Sequence, residues 1–205
     1  WLICEGSSEK IYFDFYFKDL KENKNLRILP VGGFKEVKKI YEHLQLPLKD
    51  YSKAIKGKVY CLIDTDKQSF DFNPSEENTS IVFRRLLNDN TKTNLVKNNY
   101  NITFPTEIED CLNGEIFRKI IGIFDEDIEK ILTDPKNIKD NSKNSYYYFD
   151  LRDSDREIIK KFFDKDYGYM KIEFAKKYVE EIEKGLLYGV EYEIPWIDEI
   201  KSFFE

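Results

Sequence analysis

Histidine is nearly absent from this chain: His43 is the only one in 205 residues. That isolation argues against a histidine-ligated metal centre and against a Ser-His-Asp triad, and the helical pattern around His43 marks it as a surface or partly buried side chain. Cysteine is scarce as well. Cys4, Cys61 and Cys111 are odd in number, widely spaced and without a CxxC pair, which excludes a disulfide framework and the zinc-ribbon spacings. They read as buried thiols in a reducing compartment, so a cytoplasmic location is expected. No apolar run approaches membrane-spanning length and no signal-peptide pattern occurs, so no membrane partner is expected. No GxxxxGK[ST] sequence is present, which places any ATP hydrolysis elsewhere. Positive charge is not in excess either: 33 Lys and Arg stand against 39 Asp and Glu, a net charge of -6. A nucleic-acid partner would have to be met by local lysines or by bridging cations.

What is present is apolar and aromatic. A hydrophobic fraction of 41% with 16% aromatics supplies the buried area that disordered chains lack. The length suits one full core with insertions. The first strand, WLIC, begins at residue 1 with no methionine before it, which predicts further protein upstream. Ser8 to about Asn23 carries Ile11, Phe15, Tyr16 and Leu20 at helical spacing, capped by Ser7 or Ser8. Leu26 to Val31 forms a second strand, Gly32 and Gly33 turn it into a helix from Phe34 to Gln45, and Val59 to Asp64 forms a third. Tyr100 to Pro105 ends a fourth strand. The order βαβαβ plus a further strand predicts an α/β fold with a mostly parallel central sheet and flanking helices. Helical patterns at Glu115 to Leu132, Ser154 to Phe163, Tyr169 to Lys184 and Ile197 to Phe204 predict a helical C-terminal extension. The expected division is a core at 1–112, with an insertion around 67–99 holding a possible strand at Ser80 to Leu87, and a helical extension at 113–205. The extension is expected to pack on the core as one structural unit. A second polar insertion runs from Thr133 to Tyr146. The aromatic last helix (Trp196, Ile197, Ile200, Phe203, Phe204) is expected to pack on this domain or on a partner, and a homo-oligomer is one form of that.

Acids punctuate the strand ends. WLICEG places Glu5 after the first strand, VYCLIDTD places Asp64 and Asp66 after the third, and PTEIEDCL places Glu107, Glu109 and Asp110 after the fourth. In a parallel sheet, the carboxyl ends of neighbouring strands open onto one crevice, which is where such folds bind ligands. Several carboxylates sharing a crevice repel one another unless a hard cation neutralises them, and oxygen-only ligation favours Mg²⁺ or Mn²⁺ over zinc. Two such ions roughly 4 Å apart suit phosphodiester cleavage.

The ordered set, strand-EG at Glu5 and Gly6 followed by strand-DxD at Asp64 and Asp66, resembles the Toprim domain of topoisomerases, primases, ribosomal-RNA-maturing ribonucleases and OLD-family nucleases. EGSSE, with Glu9 four residues after Glu5, is similar to the OLD branch. TEIED (Thr106 to Asp110) resembles the additional acidic motif of that branch, and KIEFAKKY (Lys171 to Tyr178) its late lysine. The resemblance implies a Toprim-like Rossmannoid fold and a Mg²⁺-dependent nuclease in which Glu5, Glu9, Asp64, Asp66 and Glu109 hold two ions. Glu109 is preferred to Glu107 because it matches the family position. Lys171 would stabilise charge on the scissile phosphate. The same resemblance implies an ABC- or SMC-like ATPase partner, fused or separate, as in anti-phage defence. Where that branch often carries a serine two positions after the second aspartate, this chain has Gln68 followed by Ser69.

Each motif has a competing structural reading. Glu5 can cap a helix at a strand-helix turn, Asp64 and Asp66 can form a polar turn, and the TEIED acids can enrich the first turn of a helix. Lys171 can solvate an amphipathic helix. In SIVFRRLL, alternation sends Arg84 and Arg85 to opposite sides, so at most one meets a substrate; Arg84 is the candidate. Tyr146, Tyr147, Tyr148 and Phe149 can stack on bases or pack between helices. Two rival functions stand beside the OLD-like nuclease. One is a Toprim ribonuclease acting on tRNA or structured RNA; the other is a non-catalytic domain whose acidic pocket binds an ion or a basic partner.

Overall fold

The apolar runs that end on glycine or acid become adjacent strands. The structure, a computed structural model, describes residues 1–51, 54, 56–66, 72, 74, 78–88, 94–97, 105–139, 144–185 and 195–205. β1 (Leu2–Cys4), β2 (Ile28–Pro30), β3 (Val59–Ile63) and β4 (Ile81–Asn88) run parallel in the spatial order β2-β1-β3-β4. β5 (Asn94–Lys97) adds to β4 antiparallel at the edge. The chain is thus α/β with a mostly parallel sheet and flanking helices. Every residue of β1 and β3 is buried, as continuous apolar strands of a sheet covered on both faces must be.

The fourth parallel strand differs from expectation. It is β4, which matches the strand read at Ser80 to Leu87 but belongs to the sheet and not to an insertion, and residues 100–104 of the strand expected at Tyr100 to Pro105 lie outside the described residues. The β-branched and aromatic residues of SIVFRRLL, at near-alternating burial, outweigh the polar composition around them.

α1 (Ser7–Tyr16) and α2 (Lys18–Lys24) lead from β1 to β2, and α3 (Phe34–Asp50) leads from β2 past β1 to β3. The single helix expected from Ser8 breaks at buried Phe17, and α2 ends where Asn25 takes the left-handed conformation at φ 55°. The two crossovers move in opposite directions along the sheet, and right-handed connections then put their helices on opposite faces. On the α3 face, Val37, Tyr41 and Leu48 close over Ile3, Cys61, Ile63 and Phe83.

The chain divides into two compact units. One comprises Trp1–Asp89, Asn94–Ile108 and Pro195–Glu205; the other comprises Asn90–Thr93 and Glu109–Ile194. The second unit carries α4 (Gly114–Phe124), α5 (Glu126–Thr133), α6 (Ser145–Tyr148), α7 (Asp153–Phe163) and α8 (Tyr169–Glu183). The helix expected from Glu115 to Leu132 is split at Asp125, whose carboxylate accepts the N–H groups of Asp127 and Ile128 and so starts a new helix. Its core is aromatic: the Phe174 ring lies 5.3 Å from Phe117 and 5.1 Å from Phe163.

α9 (Pro195–Phe204) belongs to the sheet unit. Trp196 is fully buried with its ring 6.0 Å from Phe13 of α1, and Phe203 lies 5.3 Å from Tyr60 of β3. Lys58 Nζ donates to the Phe203 carbonyl at 2.6 Å, placing a cation at the negative end of the helix.

Candidate metal centre

Strand order determines where a ligand would sit. The connections from β1 and β2 diverge, so the sheet has its topological switch point between β1 and β3, the place where open α/β sheets bind ligands. Glu5 follows β1 and Asp64 follows β3, so the two acids flank that point. They are joined directly: Asp64 N–H donates to Glu5 Oε1 at 2.9 Å. The Phe34 N–H, at the start of α3, also donates to the Glu5 carboxylate. The Glu5 carbonyl accepts from Gly32 N at 2.8 Å and Gly33 N at 3.1 Å. Positive φ angles of 88° and 116° let these two glycines turn both N–H groups toward that oxygen. One residue thereby ties the ends of β1 and β3 to the turn before α3.

The glycine after Glu5 lies against the Glu9 carboxylate. A Cβ at Gly6 would stand 2.7 Å from Glu9 Oε2, because the Glu9 side chain folds back over the start of α1. There its Oε1 accepts the Gly6 N–H at 3.1 Å and its Oε2 accepts the Ser8 hydroxyl at 3.1 Å. Glu9 is buried, at 7% exposure. This is half of a capping box, glycine having no side chain for the other half.

Asp64 and Asp66 bracket Thr65, which forms an isolated antiparallel bridge with Thr106. Asp64 is half-buried and Asp66 exposed, while Thr65 and Thr106 are both buried.

Two neighbouring acids act on Glu5. Burial pushes the Glu5 carboxyl up to about 7; the Glu9 and Asp66 charges add to this, and the Asp64 and Phe34 N–H groups oppose it. Burial also drives the Cys4 thiol far above its usual range, with Glu9, Asp64 and Glu5 contributing. Among the described residues, no group of three or more His, Cys, Asp or Glu is arranged to hold a metal ion. Glu5 and Glu9 direct oxygens to internal donors, and Asp66 faces solvent. In chemistry the donors suit a hard divalent cation: all are oxygen, and the half-buried Glu5 carboxyl is raised by burial and by like charges that a cation would offset.

Glu109 and Lys171 fall in the other unit. Glu109 lies in a 3-10 turn (Ile108–Cys111) and is 4% exposed; its Oε2 stands 4.0 Å from Lys171 Nζ, in the first turn of α8. A lysine there opposes the helix dipole, and the Glu109 carboxylate offsets that cost. Ser145 donates its hydroxyl to the Glu109 carbonyl. Glu107 is exposed and Asp110 half-buried.

Arg84 is half-buried in mid-strand, with Nη1 donating to the Phe83 carbonyl at 3.1 Å, while Arg85 is buried. Arg84 stands near Tyr60, where burial and the Glu199 charge raise the Tyr60 hydroxyl and Arg84 lowers it. This places Arg84 among residues on the α9 face, not at the strand ends. His43 is exposed, its Nδ1 2.7 Å from the Lys39 carbonyl. Of the aromatic run, Phe149 is buried and the three tyrosines are half-buried, with Arg156 over the Tyr146 ring at 4.8 Å. Gln68 and Ser69 lie outside the described residues.

Sequence reasoning passed over Thr65 and the Gly32-Gly33 pair as parts of the site. A β-branched residue between two acids, and two successive glycines ahead of a helix, were the available signals. No family model, curated protein or solved structure matches this chain.

Proposed function

We propose that this chain is a Toprim-type, metal-dependent nuclease of the OLD kind, hydrolysing phosphodiester bonds in DNA or RNA. The observation that supports it is the pairing of Glu5 and Asp64 across the β1–β3 switch point, each at the carboxyl end of its strand. Glu5, Asp64 and Asp66, with Glu9 beside them, would hold Mg²⁺ or Mn²⁺. A divalent cation held by these residues would supply Lewis-acid stabilisation of the charge on a phosphodiester. The protein's part is to hold Glu5 against the α3 N-terminus and to orient Asp64 and Asp66 on a bridged loop. Glu109, Lys171 and Arg84 enter this reading through the motif resemblance or residue type alone. So do the ATPase partner and a role in anti-phage defence.

A second reading has an observation of its own. The Glu5 carboxylate accepts two backbone N–H groups, one from the first residue of α3, which is what a structural capping acid does. A non-catalytic domain with an acidic pocket would show the same bonds.

Incubation of the complete protein, with an ATPase partner where one is encoded, with labelled plasmid DNA and total tRNA in Mg²⁺, Mn²⁺ or EDTA separates the readings. Metal-dependent cleavage is expected, with Asp64→Ala reducing it by about two orders of magnitude or more. The cut substrate distinguishes the DNA nuclease from a Toprim ribonuclease. Intact substrates throughout, or full cleavage by Asp64→Ala, would overturn the proposal.

A further inference from the structure

We propose that Thr65 is a positioning residue that holds the Asp64 and Asp66 carboxylates ready for a divalent cation; this rests on the metal-dependent reading above. β3 ends at Ile63, so the acids that follow stand on chain that the sheet ladder no longer constrains. Thr65 restores the constraint. Its N–H donates to the Thr106 carbonyl at 2.9 Å, and its own carbonyl accepts the Thr106 N–H at 2.8 Å. Its hydroxyl donates to the carbonyl of Leu86 in β4. Thr65 is 2% exposed and Thr106 is fully buried. Three bonds from one buried residue thus fix the backbone between the acids to two separate segments of the sheet unit.

Extended chain sends alternate side chains to opposite sides. With the Thr65 side chain directed into the protein, its two neighbours are directed away from it, which agrees with half-buried Asp64 and exposed Asp66. A ligand on a loose loop loses conformational freedom when it binds a cation, whereas one already fixed does not. The hydroxyl also decides which residue belongs here. Valine has the same branched shape and can keep the backbone bridge, but it leaves the Leu86 carbonyl without this donor. Serine keeps the donor.

The test is Mn²⁺ binding by titration calorimetry on the whole chain, with melting in EDTA as the control for folding. Removing a group that orients a ligand costs about 10–100-fold in metal affinity. Thr65→Val is therefore expected to bind Mn²⁺ at least about tenfold more weakly, and Thr65→Ser within about threefold of the parent. Parent-like binding by Thr65→Val would overturn the positioning role and leave the metal reading intact. No Mn²⁺ uptake by the parent would overturn both. Thr65→Ser remains decisive if Thr65→Val does not fold, because a folded serine variant with a tenfold loss would show that the hydroxyl is not what holds the acids.

Discussion

Exchanging Glu5 for glutamine should remove a pH dependence of stability that the unaltered protein carries in the absence of divalent cations. Burial, with the Glu9 and Asp66 charges behind it, holds the Glu5 carboxyl at about 7 against an ordinary 4.5. Between those values the folded protein retains a proton that the unfolded chain has released. Unfolding there releases protons, so stability is greatest at the acidic end and declines as pH rises through the folded value. At about 1.4 kcal/mol for each tenfold change, the whole interval corresponds to roughly 3 kcal/mol, and partial solvent access brings the expected loss to about 1–2 kcal/mol. Glutamine resembles the protonated acid and should flatten the profile. Urea unfolding in EDTA from about pH 5 to about pH 8 measures the slope directly. Mg²⁺ added at the upper end should recover stability in the parent by mass action and recover less in Glu5→Gln. Parallel pH profiles for the two proteins, or a parent that gains stability across the interval, would refute the reasoning.

Two backbone positions give independent expectations. A Cβ at Gly114 would lie 2.3 Å from Tyr148 Cβ, so Gly114→Ala should lose about 1–3 kcal/mol to overpacking, read as a lower urea midpoint. Tyr167 is fully exposed in a left-handed conformation at φ 56° and ψ 37°. Tyr167→Gly should therefore raise stability by up to about 1 kcal/mol, with thermal melting as the check; a lower melting temperature would show that the ring makes contacts.

The parallel sheet was legible because WLIC and VYCLID are unbroken apolar runs that end on polar turns, and only a doubly covered strand needs that composition. The acids at their ends were legible for the same reason: Glu5 and Asp64 interrupt runs that otherwise stay buried. Helix breaks were harder. Asp125 sits in a sequence with helical period on both sides, and its conversion to a cap depends on two N–H groups that periodicity does not register. β4 was legible as a strand at Ser80 to Leu87, but its polar neighbours made it look like part of an insertion, so its place as the fourth parallel strand was missed. Thr65 was overlooked because its importance comes from the carbonyl of Leu86 and the backbone of Thr106, partners remote in sequence. The same limit applies to Arg84, whose residue type suggests phosphate while its neighbours are Tyr60 and the Phe83 carbonyl.

The return of α9 to the sheet unit bears on how the chain folds as it leaves the ribosome. The bond from Lys58 to the Phe203 carbonyl spans 145 residues. β1, β3 and the α3 face can assemble early, yet the opposite face lacks Trp196 and Phe203 until the last helix is made, roughly ten seconds or more later at ordinary synthesis rates. During that interval the rings of Phe13 and Tyr60 lack the partners that later cover them. The helical unit, all but four of whose residues run from Glu109 to Ile194, faces no such wait. The sheet unit should be the slower to reach its native packing, because it needs α9 to dock.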